Sequence, residues 1–463
     1  MKSKNTLNPL NKTITKELRK ILGKRLLTSR EDCKAYACDS SPESFLPDAV
    51  ALPETADEVA KILALAQEYR FPVIPRGAGT ATTGASLASK GGLILSLLRL
   101  NHILEINEED LVAVVEPGVF TGDFKREVEA RGLFYPPDPA SYEFSTIGGN
   151  VACGAGGPKG LKYGTTKDYV LGLEVVLPGG DRLFVGRRTM KGVVGYDLVH
   201  LLTGSEGTLA VITKLILKLI PKPPFEGTVA AWFSGPKEVA EAFLKVLQEG
   251  LFPATAELLD ETTLSAVKNF LPEKIPEKAK ALLLLEFDGA KKQVEEDISI
   301  AEKKLKEICL KVEIAYRKED REKLWLARRS ISPALKQIAN GKIADDVVLP
   351  RSKVPFLLEF AKQKGKEKGL FVACFGHLGD GNIHVNIIFD KKDLSQLEKA
   401  KKLREEILSE VLRLSGTISG EHGIGLTKKG YLPKELSPAG LSIMKEIKKI
   451  FDPYSILNPG KIF

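Results

Sequence analysis

The sequence predicts an α+β protein of two or three domains, and three observations carry that prediction. From about residue 80 to 220, short apolar strands alternate with Gly/Pro turns and lack the regular intervening helix of a doubly wound sheet. Pro221-Lys222-Pro223-Pro224 is the clearest linker in the chain. Beyond it, strands near 227–234, 281–288, 371–376 and 383–389 alternate with charged amphipathic helices, the order of an antiparallel sheet with helices on one face.

Residues 1–45 read as short polar helices. Thr55 and Glu58 then have the spacing of a capping box, ahead of a helix whose apolar stripe is Val59, Ile62, Leu63 and Ala66. The strand Phe71-Pro72-Val73-Ile74-Pro75 runs straight into Arg76-Gly77-Ala78-Gly79-Thr80. Further strands begin at Leu93, Val112, Leu173 and Thr208. Late in the chain Leu403, Ile407, Val411 and Leu414 mark one face of a long helix. The division expected is a helical segment at 1–45, a first domain at 46–220, a second at 221–420 and a terminal segment at 421–463.

A formal charge of +8 is spread through Lys/Glu-rich helices, unlike the one-sided basic runs of a nucleic-acid footprint. The five cysteines form no CxxC, which argues against disulfides and an iron–sulfur cluster in this chain. The N-terminus has no apolar signal core, and the longest apolar runs are too short for a bilayer. A cytoplasmic protein is expected, peripheral to a membrane at most through a partner.

Two segments are rich in glycine. Arg76-Gly77-Ala78-Gly79-Thr80 with Gly84 follows a strand, so its backbone amides could wrap a diphosphate. The denser cluster runs from Thr146-Ile147-Gly148-Gly149-Asn150 through Gly154 to Tyr163-Gly164. Two such loops beside strands point to a dinucleotide, and the missing G-x-G-x-x-G favours flavin over nicotinamide.

The chain has only five histidines, and three of them (His377, His384, His422) fall in Gly376-His377-Leu378-Gly379-Asp380-Gly381-Asn382-Ile383-His384-Val385-Asn386 and Ser419-Gly420-Glu421-His422-Gly423. Two imidazoles and a carboxylate are what a divalent metal site with open positions needs, and a further imidazole is left for proton transfer. Gly379-Asp380-Gly381 reads as a turn, with Asp380 a turn residue, and alternation puts His384 and Asn386 on one strand face. Leu324-Trp325-Leu326-Ala327-Arg328 offers a guanidinium able to fork onto a carboxylate.

Pro75 to Thr80, Pro136-Pro137-Asp138-Pro139, Thr146 to Asn150, Lys162-Tyr163-Gly164 and Asn458-Pro459-Gly460-Lys461 together resemble FAD-linked oxidases of the vanillyl-alcohol oxidase type. Within them the chain is similar to the group of glycolate oxidase flavin subunits, D-lactate dehydrogenases and D-2-hydroxyglutarate dehydrogenases. The resemblance runs from about residue 45 to the end. It implies a bilobed PCMH-type FAD-binding domain with an antiparallel-sheet cap, and FAD held without a covalent bond, since the first glycine loop has Ala78 and Thr80 where covalent members place a histidine. It implies cofactor contacts from Pro75, Arg76, Gly77, Ala78, Gly79, Thr80, Gly84, Pro137, Asp138, Thr146, Gly148, Gly149, Asn150, Gly154, Tyr163, Gly164, Val211, Asn458 and Lys461. It assigns His377, His384 and Glu421 to a divalent metal (Zn, Mn or Fe), His422 to the base, Asn386 to a supporting catalytic role, and Arg328 and Ser332 to the substrate carboxylate. Dicarboxylate enzymes of the group have a lysine where this chain has Ala344, which favours a small monocarboxylate.

The activity implied is oxidation of a small D-2-hydroxy acid, D-lactate or glycolate, with electrons passing to an iron–sulfur subunit, an electron-transferring flavoprotein or a quinone. Competing readings are an oxidase using O₂, a non-catalytic FAD-binding subunit, and a metallohydrolase. A homodimer is compatible with all of them.

Overall fold

The computed structural model describes residues 7–271 and 275–463. The chain divides into two compact units. The first comprises Met1–Gly156, Thr165–Lys222 and Glu421–Phe463, and the second Gly157–Gly164 with Pro223–Gly420. No helix among the described residues is long and apolar enough to cross a membrane.

In the first unit, β1 (Leu26–Leu27), β2 (Ala49–Ala51), β3 (Val73–Arg76) and β4 (Leu93–Ser96) form a sheet in the order β1-β2-β4-β3. Strands β2, β4 and β3 run parallel, and Leu457 adds a parallel bridge beside Val73. The Lys12–Leu22 helix sends Ile14, Leu18 and Leu22 into the same core as Val59, Ile62, Leu63 and Ala66 of the Ala56–Tyr69 helix. The segment expected to hold only polar helices therefore also supplies a strand and core residues. A two-residue strand is too short to show a period in sequence.

The Ala56–Tyr69 helix is capped by Thr55, which accepts from the Glu58 N–H at 3.2 Å. The Glu58 carboxylate also takes the Glu54 N–H at 2.8 Å and pairs with Arg25.

A second, five-stranded antiparallel sheet joins β5 (Ile103–Asn107), β6 (Val112–Val115), β8 (Val170–Val176), β9 (Arg182–Gly186) and β10 (Val211–Lys218) in the order β5-β6-β10-β8-β9. A small pair, β7 (Leu133–Phe134) with β11 (Ile220–Pro221), closes the unit just before the Pro-rich linker.

The second unit is built on seven antiparallel strands: β12 (Phe225–Phe233), β13 (Thr255–Leu259), β14 (Ala281–Gly289), β15 (Lys311–Ala315), β16 (Gly341–Val348), β17 (Phe371–His377) and β18 (Asn382–Phe389). Their order is β15-β12-β14-β13-β17-β18-β16. Helices cover both faces of this sheet, which corrects the expected one-sided cover. Leu282 and Leu284 cluster with Leu264, Ala327 and Ile331 from helices on one side. On the other side Gly227 meets Ile298, Val372 meets the Val354–Lys368 helix at Gly365, and Asp345 pairs with Arg404 of the Leu394–Arg413 helix. The run Ala281-Leu282-Leu283-Leu284-Leu285 is buried at every residue, the pattern of a strand sandwiched on both sides.

Candidate active site

In the first unit the first glycine loop lies close against Thr146 of the second, and Gly148 lies close against Pro117. A β-carbon on Gly77 would lie 2.4 Å from the Thr146 hydroxyl, and one on Gly148 would lie 2.4 Å from Pro117. Thr146 caps the Ile147–Cys153 helix, accepting from Gly149 N–H at 3.2 Å, and Gly154 ends it in the left-handed region at φ 74°. Surfaces of bare backbone like these fit a diphosphate.

Arg76 is buried and donates to the Cys38 carbonyl at 2.8 Å and the Ser86 hydroxyl at 3.2 Å. Its guanidinium fills the space of a Gly79 side chain. The side chain thus braces its own loop, so what Arg76 offers a cofactor is main chain. Asn150 is likewise engaged, donating to Thr121 Oγ1 at 2.8 Å.

The terminal segment is held in the same unit. Asn458 donates to the carbonyls of Ala85 (2.8 Å) and Glu206 (2.7 Å), and Lys461 donates to the Leu87 carbonyl at 2.6 Å. Burial lowers the Lys461 pKa to about 8, against the pull of Glu206. Pro75 and Val211 stand at the end of β3 and the start of β10, and Pro137 is buried beside a partly buried Asp138.

The Glu421-His422 segment is fixed by three side chains of this unit. Cys153 Sγ donates to the Glu421 carbonyl at 3.3 Å, and Thr83 Oγ1 donates to the His422 carbonyl at 3.3 Å. The Glu206 carboxylate accepts the N–H groups of Ile424 (2.6 Å) and Gly425 (2.8 Å). Gly423 and Gly425 adopt φ of 77° and 51°, and a β-carbon on Gly423 would strike Glu206. Burial raises the Glu206 pKa, with the two backbone donors opposing it. The His422 Nε2 stands 3.9 Å from the Glu421 carboxylate. Sequence reasoning missed Glu206; the signal was an acid enclosed by Gly204-Ser205 and Gly207.

In the second unit β17 and β18 form the expected hairpin, with the turn residue Asp380 accepting from Asn382 N–H at 3.2 Å. Register places His377, Asn382, His384 and Asn386 on one sheet face with Glu257 of β13 and Asp346 of β16. The two imidazoles are 5.3 Å apart at 85°. Asn386 donates to the His384 carbonyl at 3.3 Å.

Glu257 is the residue that organises this face, and sequence reasoning missed it. It is wholly buried and pairs with both His377 Nδ1 and Arg328 Nε. Burial pushes its pKa up, but His377 and Arg328 outweigh that and bring it down to about 2. An ionised carboxylate only accepts, so His377 donates to it from Nδ1. Arg328 also lies 4.9 Å over the Phe375 ring, and its Nη1 and Nη2 make no hydrogen bond among the described residues. Its fork is therefore held in place and open. Ser332 is exposed in the first turn of the Ile331–Ile338 helix. The signal for Glu257 was a carboxylate inside the apolar run Ala256-Glu257-Leu258-Leu259.

Tyr163, expected in the cofactor loop, belongs to the second unit with Gly164. Its hydroxyl donates to Asp288 at 2.8 Å, and Lys159 donates to Glu286 at 2.6 Å. The chain leaves this unit at Gly420, whose N–H donates to Asp346 at 2.8 Å. Glu421 follows directly, its Cα about 3.8 Å from that of Gly420.

Residues 222–462 match the model of the FAD linked oxidases, C-terminal domain, and residues 47–186 match that of an FAD binding domain. The chain belongs to the FAD-linked oxidases. This FAD-linked oxidase is 41% identical to the glycolate oxidase subunit GlcD of Bacillus subtilis (strain 168), with 92% of each chain covered. It is 32% identical to a D-lactate dehydrogenase of Anaerostipes hadrus, covering 98% of both chains. Among solved structures it shares its fold with p-cresol methylhydroxylase (TM-score 0.79, 18% identity, 99% of this chain and 98% of that one). Alkyldihydroxyacetonephosphate synthase is similar in the same way (TM-score 0.77, 19% identity, 98% and 86%). The expected PCMH-type α+β fold and FAD-dependent oxidoreductase class are both borne out.

Proposed function

We propose that this oxidoreductase converts a small D-2-hydroxy acid, D-lactate or glycolate, into the 2-oxo acid and passes the electrons to a partner protein or quinone. The observation that carries the reading is the Arg328–Glu257–His377 chain, in which one buried carboxylate holds both an anion clamp and a metal-type imidazole. Relatives named for glycolate and D-lactate support it, and the word subunit in one of those names supports a protein electron acceptor.

When bound, FAD supplies the two-electron acceptor and a divalent ion supplies a Lewis acid for the substrate hydroxyl. The glycine loops, with Asn458 and Lys461, would hold FAD without a covalent bond. His377, His384 and Glu421 would hold the ion. Gly420, the residue before Glu421, donates to Asp346, whose strand neighbour in the sheet is His384. Arg328 grips the substrate carboxylate through its open Nη1 and Nη2, with Ser332 beside it. His422 then removes the hydroxyl proton, an imidazole being suited to proton transfer near neutrality. Ala344 lies opposite Asn386 in the register and supplies only a methyl group there, so no second anion anchor faces the site from that position.

Anaerobic mixing of the flavin-loaded protein with D-lactate, glycolate and D-2-hydroxyglutarate tests this, with elemental analysis of the same sample. Bleaching by D-lactate or glycolate and about one divalent ion per chain are expected. A flavin left oxidised by all three acids would overturn the proposal.

A further inference from the structure

Two asparagines share the sheet face with His377 and His384, and only one has its hydrogen bonds. The Asn386 amide donates to the carbonyls of Ala373 and His384. Asn382 is 5% exposed, and neither its Nδ2 nor its Oδ1 has a hydrogen-bond partner among the described residues. Buried polar side chains are almost always satisfied, so an amide orphaned at both atoms signals a missing partner.

Its surroundings say what kind of partner. Asn382 sits directly opposite His377 in the β17–β18 register and two residues before His384. On its other side it packs against Gly420, where a β-carbon would lie 1.7 Å from Nδ2. Gly420 is thus kept bare to admit this amide, one residue before Glu421. An amide oxygen requires a cation or a donor, and an amide nitrogen requires an acceptor. A cation carrying a carboxylate provides both at once.

We propose that Asn382 is a fourth protein ligand of the divalent ion, bound through Oδ1, while Nδ2 donates to the carboxylate of the ion-held substrate. The proposal rests on the metal reading above and sharpens it. Two imidazoles, a carboxylate and an amide oxygen make four donors, and a chelating hydroxy acid adds two. Six-coordinate sites with neutral oxygen donors suit Mn²⁺ better than Zn²⁺, whose preference is four. The site is therefore of the manganese class.

The test strips the FAD-loaded protein with a chelator and titrates Mn²⁺ and Zn²⁺ into wild type, Asn382→Leu and Asn382→Asp. Bound Mn²⁺ is read by electron paramagnetic resonance and the affinities by a chromophoric competitor. Asn382→Leu is expected to weaken Mn²⁺ binding by at least roughly 10–100-fold, the cost of losing even an outer-shell partner. Asn382→Asp, which keeps an oxygen, should retain wild-type affinity or better. The metal-free leucine variant should melt no lower than wild type, since it removes orphaned groups, while its Mn²⁺-induced rise in Tm shrinks. Should the leucine variant not accumulate, Asn382→Ala serves the same comparison. Wild-type Mn²⁺ affinity in the leucine or alanine variant would overturn the role of Asn382 and leave the metal reading standing. A wild-type protein that binds neither ion would overturn both.

Discussion

At the scale of single residues, Glu257 joins His377 to Arg328. Glu257→Gln leaves the partly buried Arg328 without its counter-charge at a wholly buried position, and breaking a buried pair costs up to about 3–5 kcal/mol. Urea unfolding should register that loss, and metal affinity should fall in the same variant because the His377 tautomer is no longer dictated. His422→Ala should keep the yellow colour and the metal content yet nearly abolish bleaching by D-lactate in anaerobic stopped flow. Unchanged bleaching would remove His422 from the base role. Asp260 gives a pH signature. It caps the Glu261–Val267 helix and accepts from Cys374 N–H at 2.9 Å, and burial raises its pKa to about 6. A raised carboxyl binds its proton more tightly when folded, so its contribution is intact below about pH 4 and lost as pH climbs through about 6. Two units correspond to about 3 kcal/mol. The stability–pH profile should therefore flatten over that window in Asp260→Asn, and an unchanged profile would place the slope elsewhere.

At the scale of elements, Gly77 marks the approach of one loop to another. Gly77→Ala puts a methyl 2.4 Å from the Thr146 hydroxyl. The expected outcome is loss of bound FAD, read as the ratio of flavin to protein absorbance after gel filtration, with little change in the circular dichroism. The hairpin of β17 and β18 was legible in the sequence because alternation and a Gly-Asp-Gly turn are local signals. The Ala56–Tyr69 helix was legible from its stripe and its Thr55 cap. The two-sided burial of the large sheet was less so, because a strand period says which faces are apolar but not what covers them. The partners of Glu206 and Glu257 were not legible for a related reason. Each is defined by partners far along the chain, Ile424 and Gly425 for one and Arg328 and His377 for the other. A spacing rule cannot see contacts separated by 71 to 219 residues.

At the scale of the whole molecule, the chain passes between its two units four times, after Gly156, Gly164, Lys222 and Gly420. The linker near residue 222 was plain from its prolines, whereas the loan of residues 157–164 to the second unit was not. Glycines there read as cofactor loop, and only the lysine and tyrosine contacts to Glu286 and Asp288 reveal the other allegiance. Deleting residues 457–463 removes the Leu457 bridge to Val73 and the contacts of Asn458 and Lys461. The truncated protein should retain no FAD and should be cleaved faster by protease in its first unit than in its second. Full flavin content would show those contacts to be dispensable.

The late return of the chain also has a consequence for biogenesis. Residues 421–463 of the flavin unit follow the whole of Pro223–Gly420 in the chain, so that unit cannot reach its final form until the second unit has been synthesised. Cofactor loading is thereby tied to synthesis of both units, and a translation product cut short within residues 223–420 never turns yellow.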